Sequence, residues 1–377
     1  MTQARFIQIH SLQSYPAALL NRDDAGLAKR LPYGNATRTR ISSQCLKRHW
    51  RTAEDEWALK AIGPAMAVRS RETPEARILP ALEGVGTEET RKAAIDALAI
   101  YLYGKNAAKD RSSRQALLLG EPEIAYLIEK ARRAAAEPDP KAAAGMIETI
   151  FKKEEKANLS AMLAAKGTLQ AGLEAALFGR MVTSDPAANT DAAIHVAHAF
   201  TVHAEQAETD YFTVVDDLSE GSGAGGIFDT EVTAGLFYSY VVVDVPLLVN
   251  NVGDDAKLAG RIVEHLVHLV ATVSPGAKRG STAPYAYADL MLIETGSRQP
   301  RSLANAFREA VRPATVSAAT EALAAHMGRL TAAYGAHEER RALQLDMQIG
   351  LPGTPSPLDL DALARWAGDA AAGEGRG

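Results

Sequence analysis

Basic and hydroxyl-bearing side chains are concentrated in one short segment, RTRISSQCLKRHWR at residues 38 to 51. Its first part has strand character and its second part has helical spacing, with Ser42 or Ser43 as the N-cap. Basic donors beside a helix N-terminus are typical of phosphate binding. The side chains that the two periodicities place toward one surface are Arg38, Arg40, Ser42, Gln44, Lys47, Arg48 and Arg51. The segment therefore predicts a surface for phosphate groups.

An ordinary amphipathic helix with a solvated charged face would give the same pattern, so the charge balance decides between the two interpretations. Residues 1 to 51 contain nine Lys or Arg and two acidic residues, Asp23 and Asp24. This surplus of seven positive charges lies in a chain of formal net charge −5, so residues 52 to 377 have a net charge of −12. The asymmetry favours local binding of an anionic partner by this part of the chain.

Composition indicates a globular protein. The chain has 377 residues, 47% of them hydrophobic, and could form two or three domains. Cys45, its one cysteine, excludes an intramolecular disulfide and fits a reducing compartment. We expect a cytoplasmic protein, since the first residues have no signal-peptide pattern and the most apolar run, at 241 to 249, is interrupted by Asp244 and Pro246.

Strand and helix patterns alternate along the chain. Residues 5 to 12 alternate apolar and polar side chains as a half-buried strand does, and residues 61 to 180 show helical spacing, which predicts an all-helical insertion. Strand patterns return at 211 to 218 and 235 to 245, on either side of a glycine-rich stretch that predicts a hairpin tip. Later patterns predict a helix at 254 to 273, a strand at 288 to 295, and helices at 302 to 334 and 358 to 371.

Other groupings of reactive side chains lack a complete catalytic or metal-binding pattern. His195, His198 and His203 are spaced for metal binding, and His265 and His268 form a second pair, but neither set is an HExxH motif. The GSGAGG run at 221 to 226 lacks the Lys and Ser/Thr of a phosphate loop. We expect no metal site and no cofactor.

Seven segments, in order and spacing, resemble the CasC-type backbone subunit of type I-E Cascade, the CRISPR RNA-guided surveillance complex, which is a member of the Cas-seven family. The segments are FIQIHSLQSYPAALLNRDD, RTRISSQCLKRHWR, ALFGRMVTSD, IHVAHAFTVH, YFTVVDDL, LFYSY and TVSPGAKRGSTAPYAYADLM. The resemblance extends nearly from end to end. It is weakest at about 61 to 168 and after about 312.

The resemblance implies an α+β fold with an RRM-like (ferredoxin-like) palm, a helical finger insertion and a protruding β-hairpin thumb. The implied boundaries are 1–60 for the first part of the palm, 61–178 for the finger, 179–202 for palm, 203–233 for the thumb and 234–377 for the second part of the palm. It also implies a non-catalytic RNA-binding subunit of an antiviral ribonucleoprotein. Copies would stack head to tail as a filament along the guide RNA, with each thumb interrupting the guide.

Further site residues follow from the resemblance. The implied RNA-binding positions are Arg22, Arg38, Arg40, Ser42, Gln44, Lys47, Arg48, Arg51, Met181, Lys278 and Arg279. The implied partners are CRISPR guide RNA, target DNA paired to the guide, copies of this chain and other Cascade subunits, with no membrane. The alternative is a subunit similar to the type III backbone proteins, which would cut target RNA with a metal-bound loop aspartate, Asp23 or Asp24.

Overall fold

The computed structural model describes residues 4–106, 110–152, 155–214 and 226–374. The chain forms two compact units. The first comprises Met1–Ala61, His195–Val245 and Ala256–Gly377, and the second Ile62–Ile194 and Pro246–Asp255. The described helices and strands, in chain order, are β1 (Phe6–Ala18), β2 (Arg30–Tyr33), β3 (Ala36–Ile41), α1 (Ser43–Arg51), β4 (Ala67–Ser70), α2 (Glu88–Tyr103), β5 (Leu117–Gly120), α3 (Glu121–Ala135), α4 (Pro140–Phe151), α5 (Leu159–Lys166), α6 (Leu173–Phe178), β6 (Ile194–Val196), β7 (Ala199–Thr201), β8 (Ala207–Val214), β9 (Gly226–Asp244), α7 (Val245–Asn251), α8 (Ala256–Thr272), α9 (Arg279–Thr282), β10 (Ala288–Gly296), α10 (Val316–Tyr334), β11 (Glu339–Gln344) and α11 (Leu360–Ala372).

The first unit is built on an antiparallel sheet in the order β11, β10, β1, β9, β7, β3, β2. Leu290 and Leu292 of β10 belong to a core cluster that includes Leu323 and Met327 of α10. Met291 and Ile293, which alternate with them, are also buried, so both faces of this strand are covered. Helices α8 and α11 pack on each other and against β1 and β10.

Strand β1 differs from the half-buried strand that its alternation predicts. Its polar side chains are buried as well as its apolar ones, because β9 and β10 pair with it on either side and the sheet is covered on both faces. Hydrogen bonds replace water for these groups: Tyr240 donates to Gln8 Oε1 (2.7 Å), and His10 Nδ1 lies 2.8 Å from the Tyr238 hydroxyl.

A long hairpin extends from the sheet. Strands β8 and β9 pair from Ala207 opposite Thr233 to Val214 opposite Gly226, and every residue of β8 is exposed. The glycine-rich stretch at 221 to 225 lies outside the described residues. The mixed α+β class, with an antiparallel sheet, helices and a hairpin, is therefore confirmed.

One glycine permits a close backbone contact at the turn between β2 and β3. Gly34, in the turn between β2 and β3, has a φ of +62°, and a Cβ there would lie 1.5 Å from the carbonyl oxygen of Arg308. Asn35 N donates to the same carbonyl, and Asn35 Oδ1 accepts from Ala310 N (2.8 Å). Only glycine allows this approach, which holds the β2–β3 turn against residues 308 to 310.

The second unit is mainly helical, but the prediction of an all-helical insertion is wrong. Strands β4 and β5 form an antiparallel ladder beside the helices, since Leu117–Gly120 is a short, fully buried apolar run. The hydrophobic core of the second unit includes Leu98, Leu127 and Phe151. A buried ion pair joins Arg180 Nη2 to Glu123 Oε1 (2.7 Å), and Glu123 Oε2 also accepts from Gly120 N at the start of α3 (3.0 Å). Within the described residues, no helix is both long and apolar enough to cross a membrane.

Candidate nucleic-acid interface

Helix α1 presents its polar side outward, as the periodicity of the sequence predicts. Ser42 is the N-cap, and its Oγ accepts from Cys45 N (3.2 Å), while Ser42 N donates to Asn21 Oδ1 (2.9 Å). Leu46 and Trp50 are buried against the first unit. The hydroxyl of Ser42 is committed to its helix and is largely buried. It therefore orients the basic helix more directly than it offers a donor to a ligand.

The four other predicted positions of α1 lie on its outer side or at its margins. Gln44 and Arg48 are exposed, and Lys47 and Arg51 are half-buried. The first turn contains no acidic side chain. Gln44 and Arg48 therefore present amide and cationic donors to solvent, and the first turn has no carboxylate to compete for them.

Basic side chains from four further segments are coupled electrostatically to this helix or to one another. Burial lowers the pKa of His49 on α1, and the charges of Arg279 and Arg48 lower it further. Burial likewise lowers the pKa of His198, and Arg40 and Lys29 add to that effect. Burial raises the pKa of Cys45 on α1, and the charges of Arg48, Lys29 and Arg279 oppose that rise, so Lys29 connects the two groups. We call the combined set the basic cluster: Lys29, Arg40, Arg48, His198 and Arg279.

The cations of this cluster have no counterion in the part of the chain that the structure describes. None of its Lys or Arg side chains has a carboxylate within ion-pair distance there. The Arg40 guanidinium contacts His198 Nδ1 (3.0 Å) and donates to the Arg30 carbonyl (3.2 Å). An unbalanced group of cations on one surface is suited to an anionic ligand with repeated charges.

Arg38, predicted to lie on the phosphate-binding surface, is instead a core residue. Its side chain is fully buried, and its guanidinium donates to the carbonyl oxygens of Thr201 (3.0 Å) and Phe307 (2.9 Å). It also lies over the ring of Tyr33, 5.9 Å from the centroid. Burial lowers the pKa of Arg38. This arginine joins β3 to the segment beyond β10 and is not available to a phosphate in this structure.

The base of the hairpin is tied to two basic residues. Arg30 of β2 pairs with Glu205 and with Glu231 of β9. Lys278 Nζ donates to Thr230 Oγ1 (2.7 Å) and lies 5.9 Å from the centroid of the Phe212 ring. Lys278, one of the predicted RNA-binding positions, thus contacts the hairpin in this structure. The pairing of Arg30 was not predicted, since its acidic partners are 175 and 201 positions away in sequence.

The hairpin has an exposed apolar surface. Phe212 and Phe228 stack across its strands with centroids 5.6 Å apart, and both are exposed. The neighbouring exposed side chains are Tyr211, Val214 and Ile227. Exposed apolar residues in such number indicate a contact surface for another molecule.

Met181 lies in the second unit, on a turn that is held by buried groups. Its side chain is 65% exposed, although the preceding residue, Arg180, is buried in its ion pair with Glu123. Arg180 also exchanges backbone hydrogen bonds with Thr190. A flexible apolar side chain is thus presented to solvent from a well-anchored backbone, which is compatible with contact to an unstacked base.

The remaining predicted residues, Arg22, Asp23 and Asp24, lie in the loop between β1 and β2. Arg22 is exposed and its backbone bridges to Ala28. Asp23 Oδ1 accepts from Leu27 N (3.0 Å), which closes the turn, and Asp24 is exposed. Over the described ranges, no group of three or more His, Cys, Asp or Glu is arranged to hold a metal ion.

Comparison with known proteins places these features in context. Residues 7–362 match the family model of the CT1975-like proteins. A chain in a structure described as a "CRISPR RNA-guided surveillance complex, pre-nicking" is 27% identical, with a TM-score of 0.78 over 96% of this chain and 100% of that chain. A chain in a second "CRISPR RNA-guided surveillance complex" is 23% identical, with a TM-score of 0.59 over 96% and 99% of the two chains, and supports the fold alone. A comparison with curated proteins gave no match.

Proposed function

This chain belongs to the CT1975-like protein family, and from that premise we propose that it is a guide-RNA-binding backbone subunit of a CRISPR RNA-guided surveillance complex. The likeness to a surveillance-complex chain over 96% of this chain and 100% of that chain supports this assignment. The observation that carries it is the basic cluster around α1, whose lysine and arginines lack counterions among the described residues. Such a surface suits a polyanion.

The types of side chain fit a ligand of variable sequence. Arginine and lysine neutralise phosphates without discriminating between bases, and Gln44 can add a hydrogen bond to a backbone oxygen or a 2′-hydroxyl. A guide must be held whatever its sequence, because the guide itself reads the target by base pairing. We therefore propose that Lys29, Arg40, Arg48 and Arg279 contact guide phosphates.

The finer part of the proposal concerns assembly. Copies of the chain, within a type I-E Cascade in the cytoplasm, would stack head to tail along the guide and contact the other Cascade subunits. The apolar hairpin surface around Phe212 and Phe228 would pack over the RNA and against the next copy. Met181 would press against a displaced base, and target DNA would pair with the guide in segments. The subunit itself would be non-catalytic.

Salt-dependent RNA binding tests the phosphate contacts. The purified chain is titrated with unstructured RNAs of several sequences at increasing salt, and Arg48→Ala/Arg279→Ala is compared with the wild type. Loss of two phosphate contacts should weaken binding to all sequences alike and reduce the slope of log K against log salt by about 1.4. Arg329→Ala, an exposed arginine of α10 outside the cluster, is the matched control and should leave the slope unchanged.

An unchanged slope in the double variant, or altered preference among RNA sequences, would contradict the proposal. Assembly is tested separately by electron microscopy of the chain with a guide RNA. A repeating backbone along the RNA is expected, and isolated single subunits on the RNA would refute the head-to-tail arrangement.

A further inference from the structure

Two tyrosines, six and eight positions after Arg279 of the basic cluster, are exposed on a firmly held backbone. The side chains of Tyr285 and Tyr287 are 71% and 73% exposed. Ala286, between them, donates its N–H to Ser274 Oγ (3.0 Å), and its carbonyl accepts from Gln13 Nε2 (2.5 Å). Ser274 and Gln13 are buried. The rings are therefore presented to solvent by a backbone that is anchored to the sheet.

The spacing of these tyrosines suits a single aromatic ligand. Both polar groups of Ala286 bond inward, which is the pattern of an extended residue, so its two neighbours share the outward face. Residues i and i+2 of an extended chain are roughly 6.6 Å apart. That distance is about twice the 3.4 Å spacing of stacked bases. One flat ring can thus lie between the two tyrosines with contact on both faces.

The charge around the pair favours nucleic acid over protein. Lys278 and Arg279 lie on the same connection, and no acidic residue occurs between Ser274 and Ala288. The charge of Arg279 acts on His49, so this connection borders the basic cluster of α1. A strand with phosphates on Arg279 and the cluster would have its bases within reach of the tyrosines. Charged side chains are depleted at the centres of protein interfaces, whereas cations beside aromatic rings are typical of single-strand binding.

We propose that Tyr285 and Tyr287 hold one unpaired base of a single-stranded nucleic acid between their rings. This inference rests on the proposed function and extends it with a stacking site for bases, which the phosphate contacts do not supply. The chemistry shared by the two sources of such a base, guide RNA and a DNA strand, is an unpaired heterocycle on a sugar-phosphate chain. Stacking would not discriminate between bases, since every base has a π-face.

The test uses short RNA and DNA strands that carry one 2-aminopurine, whose fluorescence is quenched by stacking. Tyr285→Ala/Tyr287→Ala should lose the quenching and bind about 5- to 150-fold more weakly, with an unchanged salt slope, because no charge is removed. Tyr285→Phe/Tyr287→Phe should retain both properties. Tyr334→Ala removes an equally exposed tyrosine of α10 and should have no effect. Loss with RNA alone would assign the site to the guide, and equal loss with DNA would assign it to either strand.

Three outcomes would overturn the inference. The first is wild-type affinity and quenching in the double alanine variant, while the wild type binds RNA with the expected salt slope. The second is an equal loss of affinity for a strand with an abasic site in place of the reporter, since the tyrosines would then act without a base. The third is a double alanine variant that binds strands normally but no longer self-associates, since that would identify a protein contact. A wild type that binds no strand would instead refute the proposed function.

Discussion

Arg38 and Arg40 are two residues apart on β3, yet the structure assigns them opposite consequences on substitution. Arg38 donates to two carbonyl oxygens inside the first unit, whereas Arg40 belongs to the basic cluster. We expect Arg38→Met to reduce stability without changing the salt dependence of RNA binding by the folded protein. Arg40→Ala should reduce the salt slope by about 0.7 with little change in stability.

The size of the Arg38 effect follows from its contacts. Hydrogen bonds from a charged donor contribute about 1.5–3 kcal/mol each, so two lost bonds give roughly 3–6 kcal/mol before compensation. Removing a guanidinium that is buried without a carboxylate relieves part of its desolvation cost, so we expect a net loss of about 2–4 kcal/mol for Arg38→Met. Arg38→Ala lacks the buried methylene, sulfur and methyl group that methionine would retain, and should cost about 2–5 kcal/mol more.

Urea unfolding at pH 7 measures these values, and RNA titration at several salt concentrations measures the slope. A net loss of 2–4 kcal/mol should lower the melting temperature by roughly 5–12 °C in a unit of this size. Arg40→Ala is the matched control on the same strand. If Arg38→Met kept full stability and instead reduced the salt slope, Arg38 would reach the phosphates, and the assignment of this side chain to the core would be wrong.

Three further predictions concern other parts of the molecule. Burial alone would raise the pKa of Glu294, but hydrogen bonds and charges from His10 and Arg301 outweigh it and hold the pKa well below its usual value. Glu294→Gln should therefore cost about 3–5 kcal/mol at pH 7, and the wild-type contribution, complete above about pH 4.5, should decline as pH falls. Urea unfolding from pH 7 to 3 measures this contribution, and a variant as stable as the wild type at every pH would contradict the prediction. Phe212→Thr/Phe228→Thr should leave RNA binding by a single subunit within about twofold but weaken assembly, because the phosphate contacts remain and the apolar hairpin surface is lost; sedimentation with guide RNA checks this, and normal assembly would exclude that surface as the contact. The wild type with complementary RNA and Mg²⁺ should give no periodic cleavage on a denaturing gel, because Asp23 closes its own turn; cuts that disappear in Asp24→Ala would establish the nuclease alternative instead.

Local signals in the sequence were sufficient for the elements that form the candidate site. The Ser42 cap and the spacing of Leu46 and Trp50 specify α1 and its buried side, because capping and helical periodicity depend on residues within one or two turns. The strand patterns on either side of the glycine-rich stretch likewise predicted the hairpin. The family resemblance added Arg279 and Met181, which are exposed as a binding role requires.

Tertiary structure decided what covers each face and which charges meet. Strand alternation correctly relates Arg38 to Arg40, but it cannot show that the carbonyls of Thr201 and Phe307 enclose the first and that solvent reaches the second. The same limit applies to Lys278, because Thr230 and Phe212 are brought to it only by the pairing of the hairpin strands. Periodicity is a property of neighbouring residues, whereas burial and ion pairing depend on segments that are hundreds of positions apart and meet only in the folded sheet.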